Sequence, residues 1–356
     1  MKVAPLMSAL SADERFECIL VHTGQHYDDS MSGTFFRELR IPNPHHHLNV
    51  GSGSHAQQTA EIMRRLEPVL LEERPAGIVV VGDVNSTLAG AIVAAKLGIR
   101  VIHAEAGLRS FDRSMPEEVN RIAADALSDL FLVTEESGRV NLLREGKSPA
   151  SIAVVGNLMI DSLTRNLPEA LESDVRERLK IPDRFGLVTL HRPANVDDNN
   201  HLAEIVSALS VISRELPLYW PVHPRTRAHL EESGIDIGET IHLIAPLGYH
   251  DFLHLQAKAA IVLTDSGGVQ EESTVLGVPC LTLRDNTERP VTVEHGTNRL
   301  AGTKKDTILH AWRETCAAPP KGTIPPFWDG HAGERCRDAI GAFFFSSVLV
   351  EELAGA

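Results

Sequence analysis

Two carboxylates in this chain each follow an apolar, β-branched run: Asp83 closes Gly77-Ile-Val-Val-Val-Gly-Asp83, and Glu105 closes Arg100-Val-Ile-His-Ala-Glu105. Such runs read as buried parallel strands, and open α/β sheets bind ligands at the carboxyl ends of their strands. Two acids arriving at neighbouring strand ends suit general acid–base chemistry. Either acid alone serves equally well as a helix cap or an ion-pair partner; the pair is what favours proton transfer. A third acidic stretch, Met115-Pro-Glu-Glu-Val-Asn-Arg121, places Pro116 at a first helical position with Glu117 and Glu118 in the first turn. The helix dipole and capping account for it as readily as chemistry does.

A second kind of chemistry is written in Ile261-Val-Leu-Thr-Asp-Ser-Gly-Gly-Val-Gln-Glu-Glu-Ser273, a strand that breaks into Asp265, Ser266, Gly267 and Gly268 before a helix-forming segment. Glycines here allow close backbone approach, and the free N–H groups of a first helical turn favour an anion. A phosphate or diphosphate is the expected tenant. With Gly268 just before the helix, Glu271 and Glu272 fall in its first turn, where Glu272 can reach hydroxyls such as those of a ribose. An ordinary strand-to-helix turn with a Ser or Asp cap is the equal alternative. Two further strand-end loops carry cations, His191-Arg192 and His223-Pro-Arg-Thr-Arg227, and a third holds Arg284 and Arg289. Together they favour a cationic diphosphate site, with Arg289 holding a phosphate rather than only pairing with Glu288.

These residues need a scaffold of alternating strands and helices, which the rest of the chain supplies. At 356 residues the chain suits two lobes. The fold class is α/β, two Rossmann-like domains. The first spans 1–165 and is joined by the C-terminal helix 332–356; the second spans 180–331; the charged, proline-punctuated stretch from Arg165 to Asp183 is the hinge. Met1–Leu10 reads as a helix, Glu17–His22 as a strand, and Thr23–Asp28, with Gln25 and His26, as a ligand-facing loop. A net charge of −14 argues against nucleic acid or an anionic membrane as partner. The four cysteines form no Cys-x-x-Cys pair, which suits a reducing cytoplasm. His45-His46-His47 lacks carboxylate or cysteine partners at ligand spacing, so no metal is expected. There is no convincing Gly-x-Gly-x-x-Gly for a nicotinamide, and no apolar run reaches membrane-spanning length.

Taken together, Val81-Gly-Asp-Val-Asn-Ser-Thr87, His103-Ala-Glu-Ala-Gly-Leu-Arg109, Pro116-Glu-Glu-Val-Asn-Arg121, Thr189-Leu-His-Arg192, Pro221-Val-His-Pro224, Thr264-Asp-Ser-Gly-Gly-Val-Gln-Glu-Glu272 and Arg284-Asp-Asn-Thr-Glu-Arg-Pro290 resemble the non-hydrolysing UDP-N-acetylglucosamine 2-epimerases. The match runs in order from Lys2 to about Gly302. The resemblance implies a glycosyltransferase B type fold with a UDP-sugar in the interlobe cleft and no cofactor. It also implies a cytoplasmic homodimer making precursors of cell-surface polysaccharide. The family's reaction interconverts UDP-N-acetylglucosamine and UDP-N-acetylmannosamine, losing the C2 proton and UDP to give a 2-acetamidoglucal, which then takes both back on the opposite face.

Residue by residue, Asp83, Glu105 and Glu117 resemble the catalytic acids and His191 the histidine that stabilises UDP. Ser266, Gly267 and Gly268 resemble the diphosphate cradle, Glu272 the ribose contact, and Arg289 and Lys2 substrate-binding cations. Leu247 and Phe252 match positions beside the uracil. Gln25 and His26 match a loop associated with allosteric activation by substrate. The family's first strand and its Gly-Thr-Arg-Pro-Glu-type loop have no counterpart ahead of Met1, so the N-terminus reads as truncated, with exposed core expected there. The motifs around His26, His191 and His223 also resemble epimerases of UDP-2,3-diacetamido-glucuronic acid, for which Arg225 and Arg227 could meet a sugar carboxylate. A glycosyltransferase, a hydrolysing epimerase and an inactive UDP-sugar-binding homologue are the other readings.

Overall fold

The computed structural model describes residues 1–24 and 36–354, so Gln25 and His26 lie outside the described residues. The chain divides into two compact units, Met1–Ser162 with Pro326–Ala356, and Leu163–Pro325.

In the first unit, strands β3 (Gly77–Val81), β4 (Arg100–Ala104), β5 (Leu130–Val133) and β6 (Ile152–Val154) form a parallel sheet in that order. Strands β1 (Val21–His22) and β2 (His46–His47) pair parallel in a small sheet of their own. The strand read over Glu17–His22 thus shrinks to its last two residues, because only those find a ladder partner among the described residues. One face of the main sheet packs Ile102, Ala104, Leu130 and Leu132 against Leu6 and Leu10 of the helix Val3–Ser11 and against Cys336 and Ile340 of the helix Ala332–Ala354. Leu6, Leu10, Ile102 and Ala104 are all buried, so the core exposure expected at the front of the chain is not found at these positions. The other face buries Val80 and Val101 against Ile62, Leu66 and Leu70, which recur at helical spacing along His55–Glu73.

The second unit is a six-stranded parallel sheet in the order β12-β11-β10-β7-β8-β9, where β7 is Gly186–Thr189, β8 Leu218–Pro221, β9 Ile241–Ile244, β10 Ile261–Thr264, β11 Cys280–Thr282 and β12 Asn298–Leu300. Its strands are nearly all apolar because both faces are covered. Helices Asn199–Ile212 and Lys305–Ala317 bury one face through Leu202, Ile205, Ile308 and Trp312, and Leu255 and Val269 help close the other. Sheet order runs outward from β7 through β8 to β9, then returns to the opposite side of β7 at β10. The carboxyl ends of β7 and β10 therefore flank a topological switch point, where open α/β sheets leave a crevice.

The segment 165–183, expected to be a hinge, instead packs within the second unit. Ser173 Oγ donates to Asp251 Oδ1 at 2.5 Å, Arg178 pairs with Asp251, and the Ala170 carbonyl lies 3.0 Å from His254 Nδ1. The division falls inside the helix Leu158–Leu171. Among the described residues no helix is long and apolar enough to cross a membrane.

Candidate active site

In the first unit, β3 and β4 are hydrogen-bonded neighbours with Val81 opposite Ala104, which brings the two acids to adjacent strand ends. Between them is Gly82, with φ +73°, whose N–H donates to the Ala104 carbonyl at 3.0 Å. A Cβ on Gly82 would stand 3.3 Å from Glu105 Oε2, so the turn leading into Asp83 and the Glu105 carboxylate lie side by side. Glu105 itself is left-handed, φ +70°, and nearly buried. That conformation disfavours a residue with a Cβ by about 1 kcal/mol or more and persists only where tertiary contacts impose it. Here the Glu105 N–H donates to the Leu132 carbonyl at 2.9 Å and its carboxylate is paired with Lys2.

Asp83 Oδ2 accepts from Arg121 Nε at 3.0 Å, and its carbonyl accepts from Asn120 Nδ2 at 2.9 Å. Both partners come from the helix Pro116–Leu127, one turn beyond Glu117. The motif's spacing treated Glu117 and Glu118 alike, and the family resemblance singled out Glu117; in the structure the two have different surroundings. Glu118 is buried, pairs with Arg121 and accepts the backbone N–H groups of Ser110 at 3.0 Å and Phe111 at 2.9 Å, so it builds the loop. Glu117 is half-buried, and among the described residues no ion pair or hydrogen bond from its carboxylate is found. Lys2, Glu105, Thr134 and Asn157 line a small open recess in this unit.

In the second unit, Asp265 ends β10 and is fully buried, and it bridges to the end of β7. Its carboxylate accepts from the backbone N–H of His191 at 3.1 Å and of Arg192 at 3.0 Å, from Asn195 Nδ2 at 3.1 Å, and from His191 Nδ1 at 2.8 Å. Burial alone would raise this carboxyl, but the His191, Arg192 and Asn195 donors hold it below the usual carboxylate range. With Nδ1 committed to Asp265, the exposed His191 ring presents Nε2 outward, free to donate to an anion when protonated. Asp265 was overlooked as a functional residue because the neighbouring glycines drew the motif's chemistry to themselves; an acid ending an all-apolar central strand was the available signal.

The helix after β10 starts at Gly267, with Ser266 as an extended N-cap residue. Glu271 and Glu272 consequently stand in the second turn, not the first. Neither the Ser266 side chain nor the Asp265 carboxylate caps this helix. The Ser266 N–H donates to Thr264 Oγ1 at 2.9 Å, so the N–H groups of Gly267 and Gly268, both partly exposed, are the ones this turn can offer to an anion. Neither glycine has positive φ, so the turn does not require glycine for its conformation. Room is the reason at Gly267: a Cβ there would come within 2.5 Å of Arg289 Nη1 and 3.0 Å of Glu288 Oε1.

Arg289 lies across that glycine in a buried cluster. Its Nε donates to Glu271 Oε1 at 2.5 Å and its Nη1 to Glu288, while Arg284 Nη2 donates to the other Glu288 oxygen at 2.7 Å. Burial works against the charge on Glu288, but Arg289, Arg284 and Arg192 hold its carboxyl far below the usual range. The sequence preferred a phosphate over Glu288 as the partner of Arg289; in this structure the pairing with Glu288 is made. Gly267→Ala is expected to displace this cluster and lower the stability of the unit by about 2 kcal/mol in urea unfolding; an unchanged midpoint would show that Arg289 yields freely.

Glu272, also buried, accepts the Tyr249 hydroxyl at 2.9 Å, and burial pushes its carboxyl up to about 8. Because the folded value lies above the ordinary value of 4.5, the favourable contribution is complete below pH 4.5 and is lost as pH rises to about 8. Wild-type stability should fall across that window by up to about 1.4 kcal/mol per pH unit, and Glu272→Gln, which keeps an acceptor for Tyr249, should remove that slope. Parallel stability profiles for the two proteins would contradict the assignment. Leu247 and Phe252, partly buried, pack against the apolar cluster that contains Leu255 and Val269. Arg225 is engaged by Asp197 at 2.9 Å, and Arg227 donates to the Leu243 carbonyl at 3.0 Å. Of the three histidines in sequence, His45 accepts the Leu20 N–H and His46 pairs with Glu73.

The comparisons with known proteins agree with one another. The family model described as UDP-N-acetylglucosamine 2-epimerase matches residues 8–341. A UDP-N-acetylglucosamine 2-epimerase of Methanocaldococcus jannaschii is 44% identical over 345 residues, covering 94% of each chain. The UDP-2,3-diacetamido-2,3-dideoxy-D-glucuronate 2-epimerase of Pseudomonas aeruginosa is 41% identical over 343 residues, covering 96% of each. Among solved structures, that of the M. jannaschii UDP-GlcNAc 2-epimerase in complex with UDP-GlcNAc and UDP superposes with a TM-score of 0.89 at 43% identity, covering 95% of each chain.

Proposed function

The chain belongs to the UDP-N-acetylglucosamine 2-epimerase family, and on that premise we propose that it interconverts UDP-N-acetylglucosamine and UDP-N-acetylmannosamine by eliminating and re-adding UDP. It is an isomerase with the α/β fold of the glycosyltransferase B type. The observation that carries the reading is the placement of Asp83 and Glu105 at the carboxyl ends of two hydrogen-bonded strands, with Lys2 held on Glu105.

The C2–H of the sugar has no adjacent carbonyl to acidify it, so its loss is coupled to departure of an anionic leaving group. Asp83, Glu105 and Glu117 are assigned the proton traffic at C2, with Glu105 removing the proton in the forward direction. As the C1–O bond breaks, charge grows on the diphosphate, and it is met by the Ser266 hydroxyl, by the Gly267 and Gly268 N–H groups, by His191 and by Arg289. Glu272 takes a ribose hydroxyl, and Leu247 and Phe252 flank the uracil. The 2-acetamidoglucal then takes a proton at C2 from the opposite face and UDP at C1. Lys2 neutralises Glu105 in the resting site and contacts substrate. No cofactor enters this scheme. Extending the family resemblance, the working unit is a cytoplasmic homodimer with Gln25 and His26 on a regulatory loop.

A second reading, epimerisation of UDP-2,3-diacetamido-glucuronic acid, is favoured by the likeness to the P. aeruginosa protein. Arg225 and Arg227, the cations considered for a sugar carboxylate, are occupied by Asp197 and the Leu243 carbonyl, which favours the neutral sugar. Parallel incubations with each UDP-sugar and no acceptor distinguish the two. The proposal expects a UDP-N-acetylmannosamine product from UDP-N-acetylglucosamine at roughly 150 times the rate seen with the diacetamido-glucuronate, a discrimination of about 3 kcal/mol. The reverse preference would transfer the chain to the second reading, and stoichiometric release of UDP and free sugar would make it a hydrolysing enzyme.

A further inference from the structure

His103 is completely buried beneath the turn that carries Asp83, and none of the steps above uses it. Its Nε2 lies 2.8 Å from the Gly82 carbonyl oxygen and its Nδ1 2.6 Å from Asp125 Oδ1. A carbonyl oxygen only accepts, so Nε2 has to carry a hydrogen. The other Asp125 oxygen already accepts the Gly107 N–H at 3.1 Å and Arg109 Nη2 at 2.7 Å. Two such donors on one oxygen favour the ionised carboxylate, whose Oδ1 then also only accepts, and Nδ1 has to carry a hydrogen as well.

We propose that His103 is a standing imidazolium and a positioning residue: it fixes the Gly82 carbonyl and thereby the turn that sets Asp83 beside Glu105. Its catalytic consequence rests on the epimerase reading given above. The charged groups around it support the same state. The helix Pro116–Leu127 contributes Asp125, the chain after β4 contributes Arg109, and Glu145, just past the helix Glu136–Arg144, holds Arg109 at 2.8 Å. With His103 protonated, these two cations and two anions sum to zero, and Glu105 is balanced separately by Lys2. Burial alone would strip the proton from the ring, but Asp125, the Gly82 carbonyl and Glu105 together hold it on. Asp125 is likewise kept ionised against its burial by His103 and Arg109. Gly82 is buried and has the left-handed backbone that only glycine adopts freely, so the imidazolium supplies the restraint that the residue itself lacks.

The test is nitrogen-15 NMR of the full-length wild-type protein, with the His103 ring assigned by correlation to its own backbone, alongside kinetics of His103→Gln. Both ring nitrogens should show protonated shifts at pH 7.5. A ring nitrogen with an unprotonated shift at pH 7.5 would overturn the proposal whether or not the variant folds. In folded His103→Gln, kcat should fall about 10- to 100-fold, while KM and the Kd for UDP stay within about threefold. A merely structural role would move UDP binding and thermal stability together with kcat. Wild-type kcat in the folded variant would remove the positioning role. If wild-type protein turns over no UDP-N-acetylglucosamine, the epimerase reading fails, and the ring shifts still decide the protonation state.

Discussion

Glu105→Gln is expected to lower C2 proton exchange and turnover of UDP-N-acetylglucosamine by about 10³-fold while leaving UDP affinity within about tenfold. The amide is nearly isosteric, so the left-handed backbone at this position and its hydrogen bond to Leu132 can persist. Two things are lost: the basicity needed at C2 and the charge that pairs with Lys2. Loss of that pairing frees a half-buried ammonium in the same recess, so part of the effect belongs to Lys2. A double-mutant cycle with Lys2→Met separates the two, because the proton-transfer loss remains when Lys2 is already absent. Turnover near the wild-type level in Glu105→Gln would remove Glu105 from the reaction.

Asp265→Asn should be the most damaging single change in the second unit, combining a stability loss of about 3 kcal/mol with a fall in kcat/KM of at least about 10²-fold. The carboxylate is fully buried and receives only donors, two from backbone and two from side chains. An amide in its place sets an N–H against at least one of them, leaving buried donors unpaired. The same substitution removes the anion that orients His191 through Nδ1, so the ring can turn its acceptor toward the diphosphate. Urea unfolding measures the first effect. The second appears as weaker UDP binding. If Asp265→Asn kept the wild-type unfolding midpoint and UDP affinity, the bridge between β7 and β10 would be incidental.

Much of this site could be read from the chain, for a reason visible in its two acids. Asp83 and Glu105 each follow a run of apolar residues too short for anything but a strand, and parallel sheets deliver strand ends to one edge. The same logic located His191, the Ser266–Gly268 turn and Arg289. What could not be read depended on packing. Glu117 and Glu118 are adjacent and chemically alike, and only the tertiary placement of the Ser110 and Phe111 N–H groups decides that Glu118 builds the loop. Arg121, which joins Asp83 to Glu118, was quoted as part of a motif with no role assigned to it. Two residues of helix phase moved Glu271 and Glu272 out of the first turn, because Ser266 rather than Gly268 is the last extended residue. The hinge was sought in composition, where prolines and charges cluster, but the Asp251 and His254 contacts tie that segment into the second unit.

The central claim is that Glu105 and its neighbours move the C2 proton while UDP leaves and returns, and deuterium incorporation tests it most directly. With UDP-N-acetylglucosamine and enzyme in deuterated water, proton NMR should show the C2–H signal disappearing from both epimers at equilibrium, with deuterium at C2 in every product molecule. Epimerisation with retention of the original C2 hydrogen, or complete inertness of the substrate, would contradict the account.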